Sequence, residues 1–121
     1  MQQPSDAVRL LRSRFPELAH LFGDPEHPDP ESPEPYRSYE CFAEEILKRQ
    51  QDSNFLGAVY AFLNELALSR EYWLQEAFGV ALMESLAQEA EFTANLYSHI
   101  NVEAQEVLKN IEKGVYGRFR D

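Results

Sequence analysis

Apolar residues in this chain recur at helical rather than alternating spacing, and the pattern is densest after residue 38. Val8, Leu11 and Phe15 fall near one face of a first segment, for which Ser5 offers an N-cap. Pro16 suits the start of a short second helix over 17–22, and Gly23 suits its end. Tyr39, Phe42, Ala43, Ile46 and Leu47 then line one face of a helix over 39–51, capped by Ser38, with Glu44, Glu45 and Lys48 opposite. Ser53 caps a helix over 54–68 centred on Phe55, Val59, Phe62 and Leu66. In the segment 70–87 the apolar set is Trp73, Leu74, Ala77, Phe78, Val80, Ala81, Leu82 and Leu86. It covers more than half of a helical wheel, which predicts a central helix packed on several sides. A helix over 90–100 buries Phe92, Leu96 and Ile100. Asn101 caps a last one over 102–113, striped by Ala104, Val107, Leu108, Ile111 and Val115 and stopped by Gly114.

No stretch alternates with period two for long, and no repeat of 20–50 residues is present. The expected fold is therefore all-α, a compact bundle of about five to seven helices. All seven prolines lie between Pro4 and Pro35. Five of them, with five acids, fall in the twelve residues 24–35, a composition that favours an extended loop over helix or strand. One domain over 1–121 follows. Short N-terminal helices occupy 1–23, the acidic proline loop 24–35 and the main bundle 38–116.

A chain of 121 residues, 44% hydrophobic, can bury a core without staples, and its one cysteine, Cys41, excludes an intrachain disulfide. That usage, with no signal-like start and no apolar run long enough to span a bilayer, sets a cytoplasmic expectation. Charge narrows the partners. The net charge is -10, and no Lys or Arg occurs across the 38 residues 71–108, which carry seven glutamates. A field of one sign favours a basic protein over nucleic acid or an anionic membrane. Glu71, Tyr72, Glu76, Glu91, Glu103 and Glu106 are the candidate partner-binding residues. Tyr72 is included because aromatics beside charges anchor protein interfaces.

The chemical motifs are sparse. Glu17 and His20 have the helical spacing of a di-iron pair, but a second such pair is missing. His27 with Asp24, Glu26 and Asp29 forms a solvated acidic loop rather than a converging cation site. Cys41 sits among Glu44 and Glu45, which disfavour a thiolate. No phosphate loop, nucleophile elbow or paired Cys motif occurs. The reading is no enzyme, no cofactor and no metal. Glu84 falls on the apolar face beside Trp73 and Ala77. A core tie to a tyrosine, an arginine or a helix N-terminus is the expected role, and a groove beside Trp73 serving a helical adaptor or small-molecule sensor is the alternative.

From Tyr39 to about Tyr116, the segments Tyr39-Glu-Cys-Phe42, Phe62-Leu-Asn-Glu-Leu66 and Phe78-Gly-Val-Ala-Leu-Met-Glu-Ser-Leu86 resemble a group of small bacterial all-helical proteins found beside polymorphic toxin genes. The resemblance implies an immunity protein, a non-enzymatic inhibitor that binds and blocks a cognate toxin. It implies no individual binding residue.

Overall fold

A computed structural model describes residues 3–27 and 34–119, and every regular element among them is helical. α1 spans Pro4–Arg14 and is followed by a 3₁₀ turn, Pro16–Leu21. α2 is Tyr36–Lys48 and α3 is Ser53–Leu68. α4 is one continuous helix of three parts: α-helical at Tyr72–Glu76, π-helical at Ala77–Met83 and α-helical again at Glu84–Leu86. α5 is Ala90–Leu96, ending in a 3₁₀ turn at Tyr97–His99, and α6 is Val102–Val115.

The helix starts show which cap wins when several residues compete. Asn101 caps α6 as its sequence predicts, its Oδ1 accepting from the Ala104 amide at 2.8 Å. At α3 the cap is Asp52 rather than Ser53, with Oδ1 accepting from the Phe55 amide at 3.1 Å. α2 begins three residues before the predicted start, so Ser38 lies buried within its first turn. The Ser38 hydroxyl is used elsewhere: it accepts from the Gly23 amide at 2.8 Å and donates to Glu34 Oε2 at 3.0 Å. α1 starts before Ser5, and Asp6 closes its first turn by accepting from the Gln3 amide at 2.8 Å. Gly114 does not end α6, which runs on to Val115. The left-handed residue is Gly117, at φ 64°, where a side chain would be strained.

The core forms where the N-terminal third meets the bundle. Ala7, Val8, Leu11, Phe15, Leu18 and Phe22 are all buried with the aromatic residues of α2 and α3. Phe42 packs against Phe15 at 4.7 Å between ring centroids, Phe62 at 6.0 Å and Phe22 at 6.1 Å. α4 is central, touching α1, α2, α3 and α6. Residues 28–33 of the proline loop lie outside the described residues, but both ends of the loop are tied down. Arg9 pairs with Glu26 at 2.9 Å, and Glu34 joins the Gly23–Ser38 bridge.

Tyr39 is wholly buried and donates its hydroxyl to the Ala7 carbonyl at 2.8 Å, fastening α2 to α1. Burial, with the Glu65 carboxylate adding to it, holds this phenol well above its ordinary value of 10.0. The native state keeps the proton that the unfolded chain loses above pH about 10. The stability it contributes is full below that pH and is lost as pH rises beyond it. Tyr39→Phe is expected to cost about 1 kcal/mol at neutral pH, because the buried hydrogen bond from α2 to the Ala7 carbonyl is lost. The same change should flatten the alkaline loss of stability. Urea unfolding at neutral pH and above pH 10 measures both effects.

Candidate functional site

Helix direction decides where the acidic candidates fall. Asn101 donates its amide to Asn64 Oδ1 at 2.8 Å and its side-chain amide to the Asn64 carbonyl at 3.2 Å. Asn64 lies one turn from the end of α3, and the connection 69–71 leads from that end straight into α4. α4 and α6 therefore start at the same end of the bundle. They also finish together: the Tyr116 hydroxyl donates to the Glu84 carbonyl at 2.9 Å, and Arg118 Nη2 donates to the Ala87 carbonyl.

Glu71, Tyr72 and Glu76 at the start of α4 thus share one end with Glu103 and Glu106 in the first turns of α6. Glu91 does not join them. It follows the far end of α4, ~22 Å away along an axis of fifteen residues. There it lines a shallow cleft of about 340 Å³ with Ala90, Ala94, Arg118 and Phe119. The shared end also exposes apolar side chains. Leu68, Tyr72 and Val102 are 61%, 60% and 66% exposed. The acidity of α6 does not run its whole length, because its exposed face passes from Glu103 and Glu106 to Lys109 and Lys113. That order matches the helix dipole, with carboxylates at its positive end and ammonium groups at its negative end.

Tyr72 and Glu76 are four residues apart in an α-helical turn and so lie on one face. The half-buried Tyr36 at the start of α2 reaches this face and donates its hydroxyl to Glu76 Oε2 at 3.1 Å. The half-buried Trp73 ring stands edge-on to Tyr72, 5.0 Å between centroids and 79° between planes. Burial pushes the Tyr36 phenol above its ordinary range, and the Glu76 hydrogen bond and charge and the nearby Tyr72 add to that. Arg70 is exposed on the connection just before this face.

The buried carboxylate expected at Glu84 is instead Glu112. Glu84 is half-exposed, and among the described residues no hydrogen bond or ion pair engages its carboxylate; only its main-chain carbonyl meets Tyr116. Glu112 is 1% exposed. Its Oε1 accepts from the Tyr97 hydroxyl at 2.5 Å and its Oε2 from the Thr93 hydroxyl at 3.2 Å, with Arg118 Nε 3.5 Å from Oε2. The Arg118 amide also donates to the Glu112 carbonyl at 2.8 Å. Glu112 thus joins α5, α6 and the segment after α6, which is a structural task. The signal for it was in the sequence: Glu112 follows Ala104 and Leu108 at intervals of four, on the buried stripe of α6.

Neither Trp73 nor Glu84 lines any of four shallow surface clefts of about 230–340 Å³. Among the described residues no group of three or more His, Cys, Asp or Glu side chains is placed to hold a metal ion, and no helix is long and apolar enough to cross a membrane. The half-buried Cys41 thiol is pushed up chiefly by burial; Arg37 opposes this, and Glu44, Glu40 and Glu34 add to it by lesser amounts.

The sequence from residue 8 to residue 115 matches the family described as a domain of unknown function, DUF7674. The chain belongs to the DUF7674 family. The DUF7674 match begins inside α1, so it takes in the N-terminal third as well as the bundle. No curated protein and no solved structure matches the chain.

Proposed function

We propose that this DUF7674 protein is an immunity-type inhibitor, which neutralises a cognate bacterial toxin by docking on a basic surface of it and occluding its active region. The observation that carries the reading is the gathering of Glu71, Glu76, Glu103 and Glu106 at the end of the bundle where Leu68, Tyr72 and Val102 are exposed. An excess of carboxylates over the single neighbouring cation Arg70, around exposed aromatic and aliphatic side chains, suits a partner with a basic rim and apolar anchors. A net charge of -10 would steer such a partner in, and the exposed apolar groups would slow its release. The partner-binding set is accordingly Glu71, Tyr72, Glu76, Glu103 and Glu106, with Glu91 outside it.

The test is neutralisation. Expression of the product of the adjacent gene alone is expected to arrest growth, and co-expression with this chain to restore it. Combining Glu71→Lys, Glu103→Lys and Glu106→Lys should abolish that rescue, while circular dichroism still reports the helical fold. An adjacent product without toxicity, or full rescue by the reversed variant, would refute the reading.

A further inference from the structure

We propose that the corner formed by Tyr36, Tyr72, Trp73 and Glu76 is a recognition site for an arginine side chain of the protein partner. Four observations converge on it. The Tyr72 and Trp73 rings stand almost perpendicular, so together they offer two walls rather than one flat face. Tyr72 is 60% exposed, so a planar cation has access to it. Glu76 is aligned with Tyr72 by the helical repeat, and its Oε2 is held by the Tyr36 hydroxyl while Oε1 takes no hydrogen bond among the described residues. Finally, none of the chain's own described cations is paired with Glu76 or stacked on either ring. Arg49, Lys113 and Arg118 lie over Phe55, Phe119 and Tyr116 instead.

A guanidinium suits this corner better than an ammonium. Its plane can lie against an aromatic face while its edge donates to a carboxylate, and it is weakly hydrated and so more easily brought out of water. Tyr36 contributes by fixing Glu76, so that the carboxylate is oriented before the cation arrives. The inference deepens the basic-partner reading and rests on it, since it assigns the partner's anchoring contact.

Trp73 is the only tryptophan and therefore reports on the corner directly. The probe is the blocked pentapeptide Gly-Gly-Arg-Gly-Gly, titrated into the full chain while Trp73 emission is followed, with the citrulline peptide as the uncharged isostere. The arginine peptide is expected to give a saturable change and the citrulline peptide none. Tyr72→Leu and Glu76→Gln, shown by circular dichroism to be folded, should each weaken the response about two- to fivefold, the worth of one exposed cation–aromatic contact. A linear response, an equal response to citrulline, or unchanged binding in both variants would overturn the site. If the peptide fails while the Lys reversals still abolish neutralisation, only the corner is wrong. If the peptide binds but no basic partner exists, the corner stands and the immunity reading falls.

Discussion

Glu112→Ala is expected to destabilise the protein by about 3 kcal/mol, a fall of roughly 10–15 °C in melting temperature for a chain of this length. Truncation at this site removes the acceptor for two hydroxyls and one guanidinium. Thr93 is fully buried, and Tyr97 spans α5 to α6 through a short bond to Oε1. The Thr93 hydroxyl can still donate to the Ala90 carbonyl at 3.1 Å, so the main losses are the half-buried Tyr97 hydroxyl's acceptor and the charge facing Arg118. Arg118 is less confined: its side chain is 23% exposed and can turn outward, which keeps the expected loss below the upper range for a broken buried pair. Glu112→Gln keeps an acceptor oxygen for the Tyr97 hydroxyl and sets an amide nitrogen, a donor, beside Thr93; it loses the charge facing Arg118 and should cost about half as much. Thermal melting of the two variants beside Arg118→Ala distinguishes the contributions. A loss below about 1 kcal/mol for Glu112→Ala would mean that the cluster does not hold the last helix in place.

Phe42→Ala is expected to cost more, about 3–5 kcal/mol, because its ring is fully buried among Phe15, Phe22 and Phe62. The neighbours belong to three different segments: the end of α1, the turn that follows it, and α3. None can move in to fill the gap without dragging a helix, so the vacated volume stays as a cavity. Phe42→Leu keeps most of the volume and should cost less than half as much. Chemical denaturation measures both. Equal losses for the two variants would show that ring shape, rather than volume, governs this contact.

The helices themselves were legible because their apolar residues repeat every three to four positions, and that period survives tertiary packing. The cap at Asn101 was legible for a similar reason: a single good cap residue stands alone before a clean stripe. Caps were misread where two candidates compete. Asp52 displaces its neighbour Ser53, and Ser38 is drawn away to bridge Gly23 and Glu34. The misplacement of Glu84 has a different origin. A helical wheel assumes one constant angle per residue, and the π-helical segment Ala77–Met83 breaks that assumption. Val80, counted on the core face, is 51% exposed, and Glu84 just beyond is turned out of the core. The grouping of the acidic candidates was half legible. Charge density along the chain marked these candidates, but only the shared direction of α4 and α6 separates Glu91 from the others.

The most direct test of the acidic-end account is the association rate of this protein with the product of its adjacent gene, measured by stopped flow at two ionic strengths. Exposed charges are screened beyond about 10 Å at 0.1 M salt, so raising the salt from 0.02 to 0.3 M should slow association at least about tenfold. Single Glu71→Lys, Glu103→Lys and Glu106→Lys changes should slow it at low salt, whereas Glu91→Lys, at the other end of the bundle, should have a smaller effect. Salt-independent association, or equal slowing by Glu91→Lys and by the three reversals at the shared end, would contradict the account.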